Sequence, residues 1–491
     1  MTRYARAALL LYALACSSTP GAPGEAEGGR GGDQGPGASG GKPATGGKGG
    51  KGGQGGQGGS HASGGAGGSS DAGGSGGAGE PQDASGPATG GNGDGGSSGG
   101  ADGGSGGAAG GAGGSVPPPD AGSAPDAPPP PKDGFRHPGI LLNDAQIAFL
   151  RAKVAAGEQP WKAAYDKASA DNYGSLAYVA KPQVNVECGP YSMPNIGCAE
   201  EANDSIAAYT HALLWAIGGD EAHAQKAIEI MNGWARTFKS HSNSNGPLQA
   251  GWYGAIWPRA GELIRATYGG WPAADVDRFK AMLRDVYLPS VIGGSGANGN
   301  WELSMIEASM HIAVFLGDRA TFDKAVGMWK KRVPAYFYLK TDGPTPVKAP
   351  RGNADWGTTT YVDGLAQETC RDFLHTQLGF GAAINAAETA LQQGVDLYGV
   401  ESQRLRTTME FHADYLLGRP AGSLCGGTLD LRVLNTWQIA YNHYQTRRGL
   451  ALPLTGRLIV EKARLMDPTY KHMSWETLTH AEVGAVGLTA P

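Results

Sequence analysis

Glu368, Arg371, Asp372 and His375 fall within one short stretch, Gln367-Glu-Thr-Cys-Arg-Asp-Phe-Leu-His-Thr-Gln377. It opens a helical run that continues through the apolar GFGAAINAAETALQQGVDLYG segment. Residues one or two turns apart share a helix face, so the four side chains are expected side by side near the N-terminus of that helix. A carboxylate, a guanidinium and an imidazole on a mostly apolar helix are costly to bury unless they serve one another or a ligand. Together they could hold an anion, orient an imidazole and move a proton. The plainer alternative is a solvated face of i,i+4 ion pairs.

Other polar and aromatic residues could complete such a site. Gly293-Gly-Ser-Gly-Ala-Asn-Gly-Asn300-Trp301 leads into the apolar run Glu302–His311, placing Asn300 at or beside a helix N-cap. The amide of Asn300 could bond a carboxylate, and Trp301 could stack on a sugar ring. The long Gly/Pro-rich loop from Asp342 to Tyr361 suits a rim. Asn435-Thr-Trp-Gln-Ile-Ala-Tyr441-Asn-His443-Tyr444 carries two tyrosines on one helix face, a pattern that also fits core packing. His211 lies inside an apolar helix and reads as a core histidine.

The elements that must position these groups are helices. Ala216-Ile-Gly-Gly-Asp220 followed by an amphipathic run recurs in outline as Val314-Phe-Leu-Gly-Asp318 followed by another. Each reads as a buried helix, a Gly-Asp turn capped by the aspartate, and an amphipathic partner helix. Repeated hairpins of this kind stack in a ring or solenoid. Strand-like alternation is scarce. The expected fold class is all-α: a toroid or incomplete barrel of helical hairpins over residues 134–491.

What precedes it is different. Residues 1–16 have an Arg-bearing start, a short apolar run and Ala15-Cys16, the form of an export signal with a lipoprotein-type cysteine. Residues 17–133 are Gly/Ser-rich and then Pro-rich, too poor in large apolar side chains to offset ordering entropy, and read as a tether. Beyond Cys16, the remaining cysteines are Cys188, Cys198, Cys370 and Cys425, an even set fitting two disulfides in an oxidising compartment. Of the three possible pairings, Cys188–Cys198 would close a short Pro/Gly loop. Cys370–Cys425 would fasten the segment carrying Arg371. The expected location is the periplasm or cell surface, with membrane contact through a lipid anchor only. No cysteine spacing points to zinc, no phosphate loop or nucleic-acid pattern is present, and no cofactor is expected. A net charge of −5 does not oppose an anionic ligand, since binding needs positive charge in the cleft alone.

Taken together, Gly299-Asn300-Trp301, Gln367-Glu368…Arg371-Asp372…His375-Thr376-Gln377 with Gln393-Gly-Val-Asp-Leu-Tyr398, and Thr436-Trp437…Tyr441-Asn-His443-Tyr444 resemble the helical-toroid alginate-lyase family of polysaccharide lyases, over roughly residues 137–485. The resemblance implies β-elimination on a uronate-containing polysaccharide such as alginate or glucuronan, by a set of Asn, His, Arg and Tyr. Asn300 and Arg371 would neutralise the uronate carboxylate, and His375 would take the C5 proton. Tyr361, Tyr441 or Tyr444 would protonate the leaving oxygen, with Trp301, Glu368, Gln377 and His443 contacting substrate. The chain departs from the Asn-His pair of well-studied members, because Trp301 follows Asn300. Two other readings stand beside this one. A hydrolase on the same toroid would use Glu368 and Asp372 with water, and a non-catalytic surface lipoprotein would only bind polysaccharide.

Overall fold

A computed structural model describes residues 133–488, apart from 298, 352–355, 423, 427–428 and 466–468. The signal and lipid-anchor expectations at residues 1–16, including Cys16, and the tether up to residue 132 lie outside the described residues. The first helices are α1 (Asp144–Ala155) and α2 (Trp161–Ala170). Then come α3 (Cys198–Gly218), α4 (Glu221–Thr237), α5 (Gly246–Thr267), α6 (Ala273–Met282), α7 (Leu288–Val291), α8 (Gly299–Leu316) and α9 (Arg319–Tyr336). The remainder are α10 (Phe373–Gln392), α11 (Leu397–Val400), α12 (Ser402–Leu416), α13 (Gln438–Tyr441), α14 (Pro453–Glu461) and α15 (Glu476–His480).

The division of labour follows composition. Helices α3, α5, α8 and α10 are buried almost all round and pack in succession, α3 on α5, α5 on α8, α8 on α10. They form the inner wall. Helices α4 and α9 pack outside α3 and α8 through single stripes, Ala224, Ala227, Met231 and Trp234 on α4 and Phe322, Ala325, Trp329 and Val333 on α9. A stripe at this spacing is what an amphipathic helix offers a core. The two Gly-Asp turns work as read. Asp220 accepts from the Ala222 N–H at 3.0 Å, and Asp318 accepts from the Thr321 N–H at 3.0 Å. The all-α toroid expected from the sequence is the fold observed.

Two small sheets break the pattern, and both sit at one mouth of the ring. Strand β1 (Asn185–Cys188) lies between antiparallel β2 (Asn195–Ile196) and parallel β3 (Ser240–Ser242). The Cys188–Cys198 disulfide closes the loop between them onto the start of α3. Strands β4 (Thr469–Tyr470) and β5 (Met473–Ser474) form a hairpin. Its turn residue His472 is buried in the interior, where its ring lies 3.0 Å from Glu307 on α8. The His472 carbonyl accepts from Arg259 of α5 at 2.8 Å.

Candidate active site

The helix expected to begin at Gln367 begins at Phe373. Gln367–Arg371 is a turn instead. Asp372 is the N-cap, extended at φ −176° and accepting from the His375 N–H at 2.7 Å. Both the Arg371 and Asp372 N–H groups bond back to the Glu368 carbonyl, so the turn still gathers the four side chains. Its Thr369 hydroxyl meets the His412 ring at 3.0 Å, and the Cys370–Cys425 disulfide fastens it from outside.

Glu368 organises the site from beneath. It is 3 % exposed, and its carboxylate accepts from the Asn300 amide at 2.7 Å and the Asn300 backbone N–H at 3.2 Å. Arg371 Nη1 donates to it at 3.1 Å and the Tyr336 hydroxyl at 2.9 Å. Tyr336 reaches it only because glycines clear the way. A Cβ at Gly299 would stand 2.0 Å from the Tyr336 ring, and one at Gly379 would stand 2.4 Å from its hydroxyl. One buried carboxylate thus fixes an amide from α8 and a guanidinium from the turn before α10.

Above this carboxylate opens a cleft of about 320 Å³ whose lining includes Asn300, Trp301, Arg371 and His375. Pro190 and Ser192, from the disulfide-closed loop, and Trp252 and Lys471 also line it. The His375 Nδ1 lies 2.7 Å from both Asp372 oxygens. A carboxylate accepts and does not donate, so Nδ1 carries the proton and a neutral His375 keeps its Nε2 lone pair for another task. Burial works to raise the Asp372 carboxyl, and the hydrogen bonds from His375 outweigh it and hold the group below the ordinary carboxylate value. Lys471 rests with its ammonium 4.3 Å from the centroid of the Trp252 ring. Burial holds that ammonium below the ordinary lysine value.

The remaining expected site residues are elsewhere. Tyr361 packs against Tyr338 and Trp356 in a separate small cluster. Tyr444 is 1 % exposed and donates to the Tyr398 carbonyl at 3.2 Å. Tyr441 packs against Gly456 of α14. None of the three lines the cleft. His443 stacks on Tyr398, centroids 3.9 Å apart, and burial, the largest influence, brings its pKa down to about 4. Gln377 is 1 % exposed. Its amide nitrogen donates to the Phe373 and Arg432 carbonyls and its oxygen accepts from the Leu434 N–H and the Trp437 indole. With both ends committed inside the protein, Gln377 braces the 432–437 segment. Glu368 grips Asn300 and Arg371 in place of facing substrate. Trp252, Tyr336 and Lys471 were not singled out by sequence reasoning. Trp252 sits in the run Gly251-Trp-Tyr-Gly-Ala-Ile-Trp257, which reads as core, and Lys471 carries no local signal at all.

The alginate lyase family model matches residues 197–421, a span that contains Asn300, Arg371 and His375. The chain carries an alginate lyase family domain. Polysaccharide lyase is the enzyme class this assigns. Among solved structures, a tyrosine-to-phenylalanine variant of alginate lyase A1-III complexed with tetrasaccharide shares 14 % identity over 74 % of this chain and 99 % of its own, with a TM-score of 0.51. Alginate lyase A1-III from Sphingomonas species A1 has 15 % identity over 71 % of this chain and 99 % of its own, TM-score 0.49. An alginate lyase from Bacteroides ovatus has 15 % identity over 58 % and 85 %, TM-score 0.42. No curated protein sequence matches. At these identities the likeness to solved structures concerns the fold. The alginate lyase domain has its cleft partly built by residues outside the matched span, Pro190, Ser192 and Lys471.

Proposed function

We propose that this alginate lyase domain cleaves a uronate-containing anionic polysaccharide, alginate or glucuronan, by β-elimination. The observation that carries the reading is the convergence of Asn300, Arg371 and His375 on one cleft with Trp301 beside them. A uronate C5 proton is weakly acidic while the neighbouring carboxylate keeps its charge. Arg371, 40 % exposed at its side chain, meets that carboxylate with a fork of donors, while Asn300, its amide nitrogen donating to Glu368, fixes the side chain that holds Arg371. Charge that develops on the carboxylate as the proton leaves is then met by donors already in position. His375, oriented through Nδ1 by Asp372, takes the proton at Nε2. Trp301 supplies a ring face for a sugar. The hydrolase reading is disfavoured because both of its carboxylates are occupied, Glu368 by Asn300 and Arg371, Asp372 by His375.

The test is incubation of residues 134–491 with a panel of polyuronates while following ultraviolet absorbance of the unsaturated product. A rise that His375→Ala removes supports the assignment. A rise that survives the substitution removes His375 as base, and reducing ends without absorbance establish hydrolysis. The export and anchor reading is a separate proposal: Cys16→Ala should move the protein from membranes to the soluble fraction, and unchanged fractionation refutes lipidation.

A further inference from the structure

The tyrosines expected to protonate the departing 4-oxygen do not line the cleft, yet elimination needs a donor there. We infer that Lys471 is the general acid of this site, with Trp252 as the platform that holds its ammonium over the scissile bond. The assignment rests on the lyase reading above.

Three observations of geometry converge on Lys471. It lines the same cleft as Arg371 and His375. Its ammonium lies over the Trp252 ring, a cation–π contact that gives it a direction. Its backbone is left-handed at φ 55°, a conformation that side-chain-bearing residues adopt at a cost and that clusters at functional sites. The strain is enforced from below. His472 is plugged between Glu307 and Arg259, and Trp475, left-handed as well at φ 56°, donates its indole N–H to Thr210 at 2.8 Å. The hairpin tip therefore has little choice of direction, and Lys471 is what it presents to the cleft. The indole N–H of Trp252 is buried without a hydrogen-bond partner, a donor suited to a sugar oxygen on the same side.

The step balances. His375 Nε2 takes the C5 proton, the C5–H electron pair becomes the C4–C5 double bond, the C4–O4 bond breaks, and O4 takes a proton from the Lys471 ammonium. Lysine ends neutral and histidine cationic, and solvent resets both. Among the described residues, Arg371 and His375 share the cleft, with Glu368 and Asp372 behind them and His472, Glu307 and Arg259 beneath the hairpin. Burial favours release of the Lys471 proton, as an acid working near neutral pH requires.

Lys471→Arg, Lys471→Met and Lys471→Gly separate the possibilities. Arginine keeps the charge but does not release a proton, so an acid role predicts that Arg and Met variants lose kcat alike, about 10²-fold or more, with KM little changed. The alkaline limb of the wild-type pH profile, attributed to Lys471, should vanish in Lys471→Met. Glycine accepts the left-handed backbone, so Lys471→Gly should melt no lower than wild type while being as inactive, which answers the objection of misfolding. Retained kcat in Lys471→Arg, or a change confined to KM, overturns the acid role in favour of simple charge binding. Wild-type activity that Lys471→Gly keeps overturns it entirely. A wild type that produces no unsaturated sugar from any polyuronate removes the lyase reading and this assignment with it.

Discussion

Glu368→Gln tests the central claim that one buried carboxylate sets the geometry of Asn300 and Arg371 at the cleft. Glu368 accepts from the Asn300 side chain, the Asn300 backbone, Arg371 and Tyr336. Glutamine keeps one oxygen and turns an NH₂ toward groups that are themselves donors. Hydrogen bonds to a charged group contribute about 1.5–3 kcal/mol each, and a buried donor left unmatched costs a similar amount. Losing about two of them, with partial rearrangement, comes to about 3 kcal/mol. At roughly 2 °C per kcal/mol for a large domain, the melting midpoint should fall by about 6 °C. Arg371 and Asn300 would shift by a fraction of an ångström or more, and a misplacement on the order of 1 Å costs about 10²-fold in rate. Calorimetry gives the first quantity and product absorbance the second. The control is Tyr336→Phe, which removes one donor to the Glu368 carboxylate and should cost about 1.5–3 kcal/mol with kcat within a few-fold of wild type. The double variant Asn300→Ala with Glu368→Gln should lose less than the sum of its parts, since the second change removes a contact already broken. A Glu368→Gln protein with wild-type kcat and midpoint, or strict additivity in that cycle, would refute the coupling.

Asp372→Asn should lower kcat by leaving the His375 tautomer unspecified. The Asp372 carboxyl is depressed in the folded protein, so its stabilisation is complete above the ordinary carboxylate value and fades as pH falls through the folded one. The melting difference between wild type and variant should therefore shrink as pH falls below the ordinary carboxylate value; a difference independent of pH would contradict this. Glu476 runs the other way. Burial is the main reason its pKa is pushed up to about 8, with the Ile439 and Gln438 N–H groups opposing. The folded state then holds a proton the unfolded chain has released, and stability declines as pH rises from the ordinary carboxylate value toward the folded one. Glu476→Gln should flatten that decline between about pH 5 and 8, and an unchanged slope in thermal scans would discount Glu476 as its source. Replacing Cys188 and Cys198 with serine removes a cross-link that, by loop-entropy reasoning for so short a loop, contributes about 3 kcal/mol. Pro190 and Ser192 would then be less firmly held, so KM should rise more than kcat falls, whereas an unaffected KM would show that this wall does not touch substrate.

What the sequence made legible was local. The Gly-Asp turns announced their hairpins because an N-cap needs only its own helix, and Asp220 and Asp318 bond within three residues. Asn300, Arg371 and His375 stood out as polar groups at the starts of apolar helices, where burial without purpose is expensive. The direction of a phenol is different, because it depends on what the rest of the fold leaves open. Tyr441 and Tyr444 are three apart, but Tyr441, at the end of α13, packs on Gly456 of α14 and Tyr444, in the helical turn that follows, donates to the Tyr398 carbonyl. Gln377 sits within the right motif, yet carbonyls and N–H groups from residues 432–434 consume its amide, and nothing nearby in sequence announces them. The helix start slipped from Gln367 to Phe373 because Asp372 adopts extended backbone to cap it, so Glu368 and Arg371 converge through a turn. Lys471 was invisible because its role comes from an anchored hairpin, a tryptophan two hundred residues earlier, and no pattern of its own.

The hairpin has one more consequence, for how the protein comes to be. The cleft takes residues from Pro190, Trp252, Asn300, Arg371 and finally Lys471, and the segment bearing Lys471 is threaded against α5, α8 and α3 through His472 and Trp475. During synthesis the helical hairpins can pair as they emerge, since their contacts lie close in sequence. Inside the ring Arg259 and Glu307 pair with each other, and the strand pair adds the His472 ring and carbonyl to them. A nascent or truncated chain ending before residue 469 would thus be mostly helical and chemically silent. The last strand pair therefore does two things at once: it braces the inner helices and brings Lys471 to the cleft.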